Sequence, residues 1–355
     1  VSVPLVVVIG AGASRGAGKL SEPKPPLTTE LFDSRFNDVL SQYDLAVKAG
    51  RHIAEAVASS ATPPVFEDVL RGLRESNHAH HRHMALAVPF YLQELLWQQS
   101  ERHNMQATAY ERLTRKLLEL ESIFFVTLNY DVLLDRQLNS YRSLNTLDAY
   151  IEPYSNWALL KPHGSVTWSW PLNAPTYPYT PQADLTYRAN ELTAVAPDAN
   201  WWTVRGLDQA RVSAPFRRGT AVGRYPALAL PEGPQDVIVM PKEHTNRLLN
   251  GIRSSAEIDM LVIGYSGYDK AILELLRDAV SHNSTRIRRT TVVNTDQAAA
   301  LGVYRRFEDA GLAAVWQDIR PEPFSDWASA RLDYLVSHYN EGPSYVSVAA
   351  PSCGA

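Results

Sequence analysis

Apolar positions recur along the chain in two rhythms, continuous short runs and runs spaced three and four apart. Leu5-Val6-Val7-Val8-Ile9 is unbroken, mostly β-branched and ends at glycine, which predicts a strand buried on both faces of a parallel sheet. A glycine-rich stretch over 10–18 follows, and Pro23, Pro25 and Pro26 then interrupt regular structure until Thr28-Thr29-Glu30-Leu31-Phe32, which reads as a helix start. From there to Leu120 the spacing is helical: Phe66, Val69, Leu70 and Leu73 fall at i, i+3, i+4 and i+7, and 86–97 and 110–120 share the period. These stretches predict a helical subdomain, residues 28–120, inserted after the first strand.

A second buried strand, 123–128, ends in Asn129-Tyr130-Asp131 before a helical pattern begins at Val132-Leu133-Leu134. A third, Trp157-Ala158-Leu159-Leu160, leads into Lys161-Pro162-His163-Gly164-Ser165. Further strands are predicted at 237–240, 260–263, 290–293 and 313–316, alternating with helices at 245–255, 270–280, 297–309 and 327–338. Such alternation specifies an α/β fold, a Rossmann-like doubly wound parallel sheet forming one domain over 1–355. Residues 170–235 stand apart, with nine prolines together with Tyr177, Tyr179 and Trp201-Trp202, and predict an irregular or β-rich insertion suited to a lid, a binding loop or an oligomer contact.

Composition narrows the function. With 34 Lys+Arg against 38 Asp+Glu, the net charge of −4 lacks the cationic excess that phosphate neutralisation demands, which argues against direct nucleic-acid binding. Cys353 is the single cysteine, so neither an intrachain disulfide nor a multi-cysteine zinc site can form. No uncharged apolar run approaches the roughly 18 residues that span a bilayer, so a cytoplasmic protein without membrane contact is expected.

Open parallel sheets bind ligands beyond the carboxyl ends of their strands, and the candidate chemistry gathers at those ends. Gly10, Gly12, Ser14 and Gly16 would let backbone N–H groups approach a pyrophosphate, or would serve only a tight strand-to-helix turn. Asn129 offers a carboxamide that can hold ribose hydroxyls or a water beside a reacting C–N bond, or can serve as a turn amide satisfying buried backbone groups. Asp131 fits either a catalytic role or the cap of the following helix. His163, beside Gly164, offers an imidazole that can accept a proton from a hydroxyl or from water, or serves structure alone. Gly264, Tyr265 and Ser266 with Asp269, and Asn294 with Thr295 and Asp296, follow two later strands and can meet phosphate, ribose or adenine edges. His78, His80, His81 and His83 lie on a polar connection with no carboxylate at matching spacing and do not read as a metal site.

Taken in order, these elements resemble the bacterial sirtuin-like (silent information regulator two-like) NAD hydrolase family of antiphage defence. Gly10-Ala11-Gly12-Ala13-Ser14 is similar to that family's phosphate loop, Thr127-Leu128-Asn129-Tyr130-Asp131 to its Thr-x-Asn-Tyr-Asp motif, and Lys161-Pro162-His163-Gly164-Ser165 to its histidine-glycine motif. Gly264-Tyr265-Ser266 with Asp269 resembles a late loop, and Phe66-Glu67-Asp68-Val69-Leu70 a helix of the inserted subdomain. The resemblance covers residues 1–313 apart from 170–235. It implies NAD as substrate, no metal, Asn129, His163 and Asp131 as catalytic residues, and Gly10, Ala11, Gly12, Ala13, Ser14, Gly264, Tyr265, Ser266, Asp269 and Asn294 as NAD-binding residues. It further implies cleavage of the nicotinamide–ribose bond to nicotinamide and ADP-ribose, a homo-oligomer, and control by a partner such as a HerA-like ATPase or a short Argonaute. Deacylating sirtuins carry a four-cysteine zinc module and a Gly-Ile-Pro-x-Phe-Arg segment after the phosphate loop, and this chain has neither. The pattern therefore favours simple hydrolysis over a zinc-free, NAD-dependent protein deacylase, with a non-enzymatic NAD or ADP-ribose-binding regulatory module as the other alternative.

Overall fold

The computed structural model describes residues 3–18, 24–59, 66–103, 106, 108–172, 203–204, 223–230, 238–283 and 285–341. Its centre is a sheet of six parallel strands: β1 (Leu5–Ile9), β2 (Ile123–Thr127), β3 (Trp157–Leu160), β7 (Glu257–Ile263), β8 (Arg286–Asn294) and β9 (Trp316–Pro321), in the order β3-β2-β1-β7-β8-β9. Every residue of β1, β2 and β3 is buried, as their unbroken apolar runs require. Fully burying one such aliphatic side chain contributes ~1.5–3 kcal/mol, so these strands form a large part of the core.

Counted along the chain, the strand order is 3-2-1-4-5-6, the doubly wound arrangement whose direction of growth reverses between β1 and β7. The register makes that reversal a place. Ile9 lies opposite Thr127 on one side and Ile263 on the other, so three strands end level with one another. Gly10 and Gly264 follow β1 and β7 directly, Asn129 comes one residue later after β2, and all three lie at the carboxyl edge.

Helices flank the sheet. Between β1 and β2 run α1 (Ala11–Ala17), α2 (Asn37–Leu40), α3 (Asp44–Ser59), α4 (Phe66–Glu75), α5 (Ala79–Arg102) and α6 (Ala109–Leu117). Beyond β2 come α7 (Leu133–Asn139) and α8 (Leu147–Tyr150). In the second half lie α9 (Lys242–Arg253), α10 (Lys270–Ser281), α11 (Gln297–Asp309), α12 (Phe324–Ala330) and α13 (Leu332–Glu341). A smaller antiparallel sheet, ordered β5-β4-β6, joins β4 (Gly164–Leu172), β5 (Thr203–Val204) and β6 (Gly223–Leu228). The described parts of 170–235 are thus largely strand; Tyr177, Tyr179, Trp201 and Trp202 lie outside the described residues.

Three expectations are corrected. The described residues of 237–240 are not a strand: Val239 donates its N–H to the Pro162 carbonyl at 2.7 Å, and Pro241 then starts α9. The last strand is not 313–316 but Trp316–Pro321, whose half-exposed, mixed sequence is that of an edge strand paired on one side, which an apolar run does not mark. The helix expected over 327–338 is two, broken at Arg331, which has left helical geometry at φ −123° and ψ −12°. Among the described residues no helix is long and apolar enough to cross a membrane.

Candidate active site

The close approach of the turns that follow β1 and β7 explains the glycines. Gly10 donates its N–H to the Ile263 carbonyl and Gly12 to the Gly264 carbonyl, both at 3.0 Å. A Cβ on Gly10 would sit 2.6 Å from both Gly264 O and Tyr265 Cα, so the two backbones touch where a side chain cannot fit. Ala13 donates its N–H to the Gly10 carbonyl. The N–H groups of Gly10, Gly12 and Ala13 are therefore engaged inside the chain, while Ala11 and Gly12 are exposed at the edge. Close backbone packing accounts for these glycines without a ligand.

Ser14 faces inward. Its Oγ accepts from Asn129 Nδ2 at 2.8 Å and lies 3.0 Å from the Tyr110 hydroxyl. Asn129 Nδ2 also donates to the Gly10 carbonyl at 3.0 Å, which fixes the orientation of the carboxamide, since only the NH2 end can meet a carbonyl. Its Oδ1 is buried and, among the described residues, has no hydrogen-bond partner. An unpaired buried acceptor of this kind costs about 1–3 kcal/mol, so its presence calls for an explanation.

His163 Nε2 hydrogen-bonds to Asp269 Oδ2. Burial pushes the Asp269 carboxyl up, but the hydrogen bond and charge of His163 and the N–H groups of Ile272 and Ala271 outweigh it and hold the group below the ordinary carboxylate range. An ionised carboxylate only accepts, so Nε2 carries the proton and, in the neutral ring, Nδ1 bears the lone pair. Asp269 also caps α10, its Oδ1 accepting the Ile272 N–H at 3.1 Å. Tyr265, packed on Gly10, donates its hydroxyl to the Asp269 carbonyl at 3.4 Å. A closed circuit of contacts therefore runs Asn129, Gly10, Tyr265, Asp269, His163, and returns through Tyr130, whose ring lies 6.1 Å from the imidazole.

Asp131 accepts the Leu133 N–H through Oδ1 at 3.0 Å, a local turn immediately ahead of α7. Burial raises its carboxyl, with the Lys161 ammonium, the Leu133 N–H and the Ser14 hydroxyl opposing. Ser266 is exposed and its carbonyl accepts from Arg306 Nε at 2.8 Å. Asn294 turns its Oδ1 back onto the Thr295 N–H at 2.8 Å and, among the described residues, forms no hydrogen bond to the others named here. Among the described histidines, the His81 ring packs 5.3 Å from His78 and 5.6 Å from His52, and no group of three or more described His, Cys, Asp or Glu is placed to hold a metal.

Sequence reasoning did not single out Tyr110 or the group Lys161, Asp135 and Tyr150. Lys161 Nζ bonds Asp135 Oδ2 at 2.9 Å and the Asp131 carbonyl at 2.6 Å, and Tyr150 donates to Asp135 Oδ1 at 3.0 Å. The available signal was a lysine directly after a four-residue apolar strand and an aspartate inside the apolar face of Leu133-Leu134-Asp135-Arg136-Gln137-Leu138.

A sheet of this order, with a histidine–carboxylate pair and an unpaired carboxamide oxygen at its switch point, defines a Rossmann-like α/β protein with a candidate ligand site at the carboxyl edge. Compared by sequence, the chain matches no protein-family model and no curated protein.

Proposed function

We propose that the protein is a NAD hydrolase that cleaves the nicotinamide–ribose bond, with helices 28–120 as an inserted subdomain over the sheet. The observation that carries the reading is the Asn129 Oδ1, buried and without a partner among the described residues, within the same circuit of contacts that contains the oriented His163 imidazole. An acceptor held in this way suits a ribose hydroxyl or a water beside the anomeric carbon. His163 Nδ1 accepts the proton as water attacks that carbon, the C–N bond breaks, and nicotinamide departs neutral from its cationic ring, so no general acid is needed. Water and NAD thereby give nicotinamide, ADP-ribose and one proton. The resemblance of the motifs to sirtuin-like NAD hydrolases supports NAD over other nucleotides. It also supports a role in antiphage defence as a homo-oligomer, with control by a HerA-like ATPase, a short Argonaute or an equivalent partner.

The test is nicotinamide release from NAD by the purified protein, across protein concentrations and with co-purifying partners. Release by the wild type and its loss in folded His163→Ala and Asn129→Ala is the expected result. Tight ADP-ribose binding without turnover would replace the hydrolase by a regulatory module, and release that requires an acylated peptide would replace it by a deacylase.

A further inference from the structure

Lys161 and Asp135 are both completely buried, each side chain at 0% exposure. The Tyr150 ring that completes the group is met edge-on by Trp168 at 5.2 Å and stacked on His244 at 6.2 Å. A buried ion pair is a poor source of stability, because desolvating two charges offsets their attraction and apolar residues of similar volume commonly do as well or better. Its location is more informative. Lys161 stands two residues before His163, and the carbonyl it binds belongs to Asp131, two residues after Asn129. The ammonium therefore ties the loop that follows β2 to the loop that follows β3. Other ties brace the same region, the Val166 N–H of β4 to the Tyr130 carbonyl at 3.0 Å and the Tyr130 hydroxyl to the Ala229 carbonyl, while the Ala229 N–H meets the His163 carbonyl at 2.8 Å; the ammonium adds the tie at Asp131.

We propose that Lys161 is a positioning residue: through the Asp131 carbonyl it sets the separation of the Asn129 carboxamide and the His163 imidazole, while Asp135 and Tyr150 hold the ammonium in place. The chemistry it serves rests on the hydrolase reading above.

The decisive variant replaces the whole polar group by apolar residues of similar shape, Lys161→Met with Asp135→Leu and Tyr150→Phe. The paired charges of Lys161 and Asp135 are then removed together, and the Asp131 carboxyl loses the ammonium that opposes its burial. Thermal melting, kcat and KM for nicotinamide release, and the 15N resonances of the His163 ring and the Asn129 amide are measured together, the latter assigned with His163→Ala and Asn129→Ala. The expected result is a melting point at or above wild type with kcat lowered about 10²-fold, the loss that follows a ~1 Å misplacement of a reacting group. A folded triple variant with wild-type kcat overturns the proposal. Should the triple variant not fold, Asp135→Asn keeps the size of the side chain while removing the counter-ion and one of the two accepting oxygens. The ammonium then has no carboxylate to hold it against the Asp131 carbonyl, and kcat is expected to fall with KM little changed; a folded variant with wild-type kcat overturns the proposal. If the wild type releases no nicotinamide, the hydrolase reading falls by itself. The resonances then decide: His163 and Asn129 signals that move in the triple variant sustain the positioning role, and signals that stay in place end it.

Discussion

Gly12 and Gly264 meet backbone to backbone, the N–H of one on the carbonyl of the other at 3.0 Å, with φ of Gly264 at +56°. A Cβ on Gly264 would lie 2.1 Å from the Ala13 nitrogen, so strand β7 can approach β1 only while this position has no side chain.

Gly264→Ala is therefore expected to lower stability by at least about 1–3 kcal/mol from its left-handed backbone alone, with the overlap adding to it. Gly72 is the internal control: it lies inside α4, a methyl group placed on it would meet nothing within 4 Å, and Gly72→Ala is expected to stabilise by about 0.5–1 kcal/mol. Denaturant midpoints of the two variants check both signs, and equal midpoints would remove the packing account of the glycine loop.

Asn129→Ala takes the donor away from the Gly10 carbonyl and costs about 1–3 kcal/mol of stability while leaving a folded protein. Nicotinamide release is expected to drop by about 10²-fold or more, since the positioned acceptor is gone. A folded variant that keeps its turnover assigns Asn129 to structure only.

Asp269→Asn retains an oxygen to cap Ile272 but no longer forces the proton onto His163 Nε2. Turnover should fall by about 10²–10⁴-fold, the range seen when a histidine base loses its orienting carboxylate. Because the Asp269 carboxyl is held below its usual range, the stability it contributes is present above the unfolded value of about 4 and disappears as pH falls through the folded value. Acid titration of stability in wild type and variant should diverge above about pH 4 and converge in stronger acid.

His244 supplies a second pH dependence. Burial lowers its imidazole from 6.5 to about 4, with the Leu147 carbonyl opposing. Between those values the unfolded chain binds a proton that the folded chain refuses, so stability falls as pH drops from 6.5 to 4, by up to ~3 kcal/mol. His244→Gln should flatten that window in thermal melts, and an unaltered slope would assign the acid lability to other groups.

The parallel core was legible because full burial on both faces leaves an unmistakable mark: the runs at Leu5 to Ile9, Ile123 to Thr127 and Trp157 to Leu160 are almost wholly apolar. The edge strand was misplaced by the same logic, since Trp316–Pro321 is, among the described residues, paired on one side and carries Gln317, Asp318 and Arg320. At the carboxyl edge, strand ends drew attention to Asn129, His163 and Asp269. The partnership of His163 with Asp269 was not legible, because a contact between residues 106 apart depends on strand order, which local pattern does not encode. Lys161 escaped for a related reason: a lysine at a strand end reads as solvent-facing until Asp135 and Tyr150 are seen beneath it.

The hydrogen bond between His163 and Asp269 crosses from the half of the sheet built by residues before 172 to the half built by residues after 257. A chain still emerging from synthesis, with only β1 to β3 in place, holds an imidazole with no carboxylate to aim it. The proposed reaction thus requires a finished fold, and on that reading an unfinished chain would leave NAD untouched.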